Sequence, residues 1–235
     1  YFKRLIKERL SVKEYDLIHS HDCYATHAVL QVMQIPIPII TTMHGPVTFE
    51  MISTGERKNS HLVQETFAIE KRAFQNSTLC IAVDTTLRTM LEQEYMVRPE
   101  KIVTIPNAVD IEHIMRLAKG RHTFKIPRPF FLVPRRLVPK NGIEFAIRAL
   151  SFCRSDISLA IAGEGPLRPS LSRMVAESGL GDRVFFLGDV PQTTLLPLIK
   201  SASGVIVPSV PSHGVIEATS LAVLEAMACK KPIIA

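Results

Sequence analysis

Along the chain, short apolar runs rich in β-branched residues alternate with longer stretches whose apolar positions recur every three or four residues. In the first half the runs are residues 16–20, 37–42, 78–83 and 101–105, and a second series comprises 130–133, 157–162, 183–187, 204–207 and 231–235. Helical spacing lies between them, as over 144–150 and 171–175. Nearly continuous apolar strands separated by helices predict an α/β protein with parallel sheets covered on both faces. Residues 119–129 fit neither pattern, being basic and interrupted by Gly120, Pro127 and Pro129 where the strand series restarts. Two domains are therefore expected, residues 1–120 and 129–235, with a linker over 121–128. No repeat of short period and no low-complexity segment is present.

Composition narrows this picture without naming an activity. With 235 residues, 46% of them hydrophobic, the chain can bury one large core or two ordinary ones. Cys23, Cys80, Cys153 and Cys229 are too widely spaced for a CxxC site and too few for a disulfide scaffold, which suits a reducing cytoplasm. No apolar run reaches the roughly 18 residues that span a bilayer. The basic first ten residues place Phe2, Leu5, Ile6 and Leu10 on roughly one side, so peripheral contact with a membrane surface is an option beside an ordinary helix. A net charge of +6 favours a phosphate-bearing ligand or anionic lipid. Nucleic acid is not expected, because aromatics are only 6% and no binding motif for it occurs. The start at Tyr1 and the stop inside the apolar run ending at Ala235 read as a fragment cut at both ends.

Candidate chemistry concentrates near strand ends. Glu217 and Glu225 flank a helical pattern whose other residues include Leu221, Val223, Leu224 and Met227. A carboxylate in apolar surroundings must find a partner, so Glu225 is either a salt-bridged core glutamate or a ligand for hydroxyls. Strand 204–207 precedes this pair, and Thr219 and Ser220 stand at a helix start where free amides suit a phosphate. His44 follows strand 37–42 and precedes Gly45-Pro46, a turn signal. His19 and His21 share one face of a strand beside Asp22 and Cys23, yet no further ligand cluster completes a metal site. Gly163-Glu-Gly165 only partly matches a dinucleotide fingerprint, since the third glycine position holds Arg168. It fits a strand-to-helix turn in which Gly163 allows close approach to the backbone.

The segment Glu217-x7-Glu225-Ala-Met-Ala, two residues, then Pro-Ile-Ile-Ala235 resembles the donor-site signature of glycosyltransferase family 4. The resemblance extends in order through Tyr15-Asp-Leu-Ile-His-Ser-His21, Thr41-Thr-Met-His-Gly45, Glu70-Lys-Arg-Ala73, Ile105-Pro-Asn-Ala-Val-Asp110, Arg135-Arg-Leu-Val-Pro-Lys-Asn-Gly142 and Ala162-Gly-Glu-Gly-Pro166. It implies a GT-B architecture, two Rossmann-like parallel-sheet domains facing a cleft, with an acceptor-side domain first and a donor-binding domain second. It also implies a retaining, metal-independent glycosyltransferase that uses a nucleotide-diphosphate sugar as substrate, with no cofactor. The acceptor would be a sugar, a lipid-linked or a small-molecule hydroxyl.

By this resemblance Glu217 would bind the donor sugar's hydroxyls and Glu225 the ribose. Arg136 and Lys140 would hold the diphosphate, and Gly163, Thr219, Ser220 and Leu221 would complete the donor site. His44 would serve catalysis. Three departures stand out. Asn141 occupies the place of the family's usual lysine, so that role passes to Lys140. Ala218-Thr219-Ser220 replaces Gly-Phe-Gly, and Ala108 replaces a turn glycine, which would strain a left-handed backbone there. A nucleotide-sugar epimerase of similar fold and a decayed nucleotide-sugar-binding protein are the alternatives.

Overall fold

A computed structural model of the chain describes Arg4, Ile6 and residues 15–33, 37–211 and 220–235. Glu217 and Thr219 lie outside the described residues, as does most of the amphipathic segment 1–10. The described residues form two compact units, one up to Asn107 and one from Ala108 onward. Among the described residues no helix is long and apolar enough to cross a membrane.

The first unit is a parallel sheet of β1 (Ile18–Ser20), β2 (Ile39–Met43), β3 (Leu79–Ala82) and β4 (Ile102–Thr104), hydrogen-bonded in that order. Its helices are α1 (Cys23–Val32), α2 (Val47–Ser53), α3 (His61–Asn76) and α4 (Thr85–Gln93). Aspartates start two of them. Asp22 Oδ1 accepts from the Ala25 amide at 2.6 Å and Asp84 Oδ1 from that of Leu87 at 2.7 Å, which satisfies amides that no preceding turn can bond. Met43, Phe74, Ala82, Leu91 and Tyr95 build the core. A line of buried hydroxyls crosses it: Ser20 to Thr26, Thr26 to Thr41 at 2.7 Å and Thr41 to Ser77 at 2.7 Å. Each hydroxyl finds a partner, so these polar groups are buried without an orphaned atom. Burial pushes the thiols of Cys23 and Cys80 up to about 12 and about 11, which makes them packing residues rather than nucleophiles.

The second unit holds β5 (Phe130–Pro134), β6 (Ser158–Ala162), β7 (Val184–Gly188), β8 (Gly204–Ile206) and β9 (Ile233–Ile234) in the parallel order β7-β6-β5-β8-β9. Between them run α6 (Ile143–Leu150), α7 (Arg168–Glu177), α8 (Gln192–Ser201) and α9 (Leu221–Ala228), and α5 (Ile111–Leu117) precedes β5. Alternate strand residues feed two cores. Phe130, Leu132, Ala160 and Val205 pack with α5, α8 and α9, whereas Val133, Leu159, Ile161 and Val184 pack with α6 and α7. Burial on both faces is why these strands read as unbroken apolar runs.

Helix α5 belongs to the second unit, earlier than the sequence pattern of residues 119–129 suggests. Ile114 and Ala118 sit in a core of that unit, and Phe124 and Ile126 pack against it, so the basic stretch before β5 is laid on the second unit. Ala108 is not among the described residues with positive φ, which apart from glycines are Met96 and Lys230. The replaced turn glycine therefore creates no left-handed strain.

Candidate functional site

In the second unit the chain leaves β5 to one side for β6 and β7, then crosses to the other side for β8 and β9. Such a switch point leaves the carboxyl ends of β5 and β8 open to a ligand. Three loops meet there. Gly142, which ends the 3₁₀ turn Pro139–Asn141, has φ +59°, and a Cβ on it would lie 1.9 Å from the Pro208 carbonyl oxygen. Gly163 has φ +149°, and its Cβ would lie 2.2 Å from the Arg135 carbonyl oxygen. The room that Gly163 leaves is thus filled by the backbone of Arg135 and Arg136, and its glycine serves to bring β5 and β6 loops together. The Val210 amide donates to the Lys140 carbonyl at 3.0 Å and closes the third side.

Two adjacent arginines at the end of β5 have different surroundings. Arg135 is half-buried and donates to Asn141 Oδ1 at 2.6 Å, Ser220 Oγ at 3.0 Å and Ser209 Oγ at 3.2 Å. Asn141, only 5% exposed, returns its amide to the Arg136 carbonyl at 2.8 Å. Arg136 itself is exposed, and its guanidinium has no hydrogen bond or ion pair to a described residue. One arginine ties the loops together and the other remains available. From the sequence Asn141 stands out only as the replacement of a family lysine, and Arg135 has no assigned role; the bond between the two is what the structure adds. Replacing Asn141 by Ala leaves the Arg135 fork and the Arg136 carbonyl short of a partner, so a loss of about 1–3 kcal/mol in urea unfolding is expected, with an unchanged denaturant slope.

Helix α9 begins beside this network. Ser220 is its N-cap residue yet makes no side-chain capping bond, because its hydroxyl receives Arg135. Leu221 is 53% exposed at the first turn. Glu225 is half-buried on the same helix, and its Oε1 accepts from Gln192 Nε2 at 2.8 Å. Among the described residues it has no cationic partner, and its recorded contact is a neutral amide. Lys140 is half-buried in the turn before Gly142.

In the first unit, His44 follows β2 and receives company from β1. His21 Nδ1 and His44 Nε2 are 3.1 Å apart with rings stacked at 5.4 Å, and His19 lies 4.4 Å from His21 between centroids. Desolvation, then the His21 and His19 rings, hold the His44 pKa below the ordinary imidazole value. The His44 ring is therefore neutral at neutral pH and can accept a proton. His19 Nε2 is bonded to Thr42 Oγ1 at 2.8 Å. Among the described residues no group of three or more His, Cys, Asp or Glu is arranged to hold a metal ion.

Comparison with known proteins decides the family. The profile described as Glycosyl transferases group 1 matches residues 115–235, and that described as Glycosyltransferase Family 4 matches residues 1–113. The chain belongs to the glycosyl transferases group 1 family. Similar curated proteins include the MMP alpha-(1->4)-mannosyltransferase of Mycolicibacterium hassiacum, 23% identical over 94% of this chain and 53% of that protein. An uncharacterized glycosyltransferase of Methanocaldococcus jannaschii is 28% identical over 96% of this chain and 58% of its own length. The chain thus spans about half the length of the curated relatives it matches. Among solved structures, Anabaena HepE in complex with UDP-glucose superposes with a TM-score of 0.73 at 20% identity, covering 98% of this chain and 62% of that one. That likeness, across both parallel-sheet units, shows the GT-B class of fold.

Proposed function

We propose that this chain carries the donor-binding region and part of the acceptor-side region of a retaining, metal-independent glycosyltransferase. The observation that carries the reading is Arg136 at the end of β5, beside the β5/β8 switch point: its backbone carbonyl is held by Asn141, while its exposed guanidinium has no partner among the described residues. As the glycosidic bond breaks, negative charge grows on the leaving diphosphate, and a fixed cation stabilises that charge more in the transition state than in the ground state. Lys140 is the second cation of this grip, and the start of α9 at Ser220 and Leu221 supplies amides. Glu217 would hold the donor sugar's hydroxyls and Glu225 the ribose, with Thr219 and Gly163 at the donor's edge.

His44, neutral and exposed after β2, is the candidate base on the acceptor side. With no carboxylate assigned as covalent nucleophile, the acceptor hydroxyl would attack from the leaving-group face with retention. The UDP-glucose bound by HepE supports a nucleotide-sugar donor, and the mannosyl transfer named for the mycobacterial relative supports sugar transfer. Asn141 gives no ground for a decayed site, since both ends of its amide are used. The test is incubation of the full-length protein with a panel of UDP-, GDP- and ADP-sugars, with and without sugar and lipid-linked acceptors. Acceptor-dependent nucleotide release is expected. Conversion of the donor without any acceptor would point to an epimerase, and binding with neither outcome would end the transferase reading.

A further inference from the structure

A second concavity lies at the amino ends of β5, β8 and β9, the opposite edge of the sheet from Arg136. It has a volume of about 480 Å³ and is lined by Arg121, His122, Arg128, Lys200 and Lys231 together with Ser201, with no carboxylate in its wall among the described residues. Four of these side chains carry a fixed positive charge at neutral pH. Arg121 and Arg128 are exposed and have no polar partner among the described residues. Lys200 and Lys231 donate to backbone carbonyls, those of Cys229 at 3.4 Å and Ala202 at 2.7 Å, so neither charge is neutralised.

His122 adds a second, independent observation. Its Nε2 is bonded to Ser201 Oγ at 2.7 Å, while its Nδ1 is buried with no partner among the described residues. Desolvation, with Lys200 and Arg128 adding to it, lowers the Lys231 pKa below the ordinary lysine value. Like charges gathered in one recess repel each other, and an anion placed among them relieves that repulsion.

We propose that this recess is a binding site for a phosphate-bearing anion of at least two negative charges. Arginine forks suit phosphate oxygens, and the volume falls in the roughly 300–1,000 Å³ range of small-ligand sites, larger than a single phosphate needs. A polynucleotide would call for an extended stripe of cations, whereas these share one concavity. The anion can come from a free phosphorylated molecule or from a lipid headgroup, and both present the same chemistry. The site stands apart from the proposed donor site, since the two occupy opposite ends of the strands.

The test uses the full-length protein, titrated calorimetrically with inorganic tripolyphosphate and sedimented with phosphatidylcholine vesicles with and without phosphatidylglycerol. All measurements are made in an R136Q background, which removes the proposed diphosphate grip so that probe bound there is not counted. To it are added R121Q/R128Q, whose side chains have no partner to lose among the described residues, or R173Q, an exposed control outside the recess. Tripolyphosphate binding about tenfold weaker on adding R121Q/R128Q and retained on adding R173Q supports a free phosphate ligand. Sedimentation with phosphatidylglycerol vesicles alone, lost on adding R121Q/R128Q and retained on adding R173Q, supports a lipid headgroup. The proposal is overturned if R136Q binds neither probe, if adding R121Q/R128Q leaves binding unchanged, or if adding R173Q weakens it equally.

Discussion

Arg136→Gln lowers the turnover rate of sugar transfer about a hundredfold or more, while the unfolding midpoint stays close to that of the wild type. The separation of the two effects follows from the neighbouring arginine. Arg135 spends its guanidinium on Asn141, Ser209 and Ser220 and thereby joins three loops, whereas Arg136 is exposed without a described partner. Removing the Arg136 side chain takes no described contact from the fold, yet on the proposed reading it withdraws the cation that would face the developing charge on the leaving diphosphate. An interaction that strengthens as the bond breaks should appear in kcat more than in KM. Arg136→Lys should recover part of the rate, because it restores the charge without the two-pronged geometry. Initial rates with the donor and acceptor found in the nucleotide-sugar panel, together with thermal unfolding, check this. A turnover within about threefold of wild type would remove Arg136 from the donor grip.

Much of the fold could be read from the sequence because the second sheet feeds a core on each face. All nine described strands coincide with apolar runs to within a residue or two, and in the second sheet a strand such as β6, buried at every position, has no polar alternation to confuse it with a surface helix. The boundary between units was less legible. The basic, proline-bearing stretch before β5 has the composition of a linker, but Phe124 and Ile126 bury against the second core, and two apolar residues in a polar segment are too weak a pattern to announce that. At the site, motif order located the strand ends and exposed Arg136. It marked Asn141 only as a departure from the family's usual lysine; the structural tie shows once the residue is buried between Arg135 and the Arg136 carbonyl. Gly163 was legible as a position needing glycine, although the group that crowds it is the protein's own backbone.

Glu70→Ala destabilises the first unit by about 3–5 kcal/mol, and Glu70→Gln by less. Glu70 lies on α3 with 0% exposure, among Val63, Thr66 and Phe74 of the same helix's buried side. Its Oε1 accepts from the Val47 amide at 2.7 Å, and its Oε2 accepts from the Thr48 amide at 3.1 Å, the Thr48 hydroxyl and the Tyr95 hydroxyl at 2.9 Å. These amides open α2, whose N-cap residue Pro46 offers no capping side chain. A carboxylate from another helix therefore does the work of a cap, and Ala would leave four donors buried without an acceptor. Gln keeps one oxygen for the donors at Oε2 but sets its own N–H against that of Val47. Desolvation outweighs these donors and raises the Glu70 pKa. A raised folded value means that the contribution to stability is full below the unfolded carboxylate range and declines as pH rises through the folded value. The advantage of wild type over Glu70→Gln in urea unfolding should accordingly shrink from about pH 4 upward. Because α2 begins three residues after His44, loosening this cap also frees the turn that carries the candidate base. Equal unfolding free energies for Glu70→Ala and wild type would show that α2 is held by packing alone.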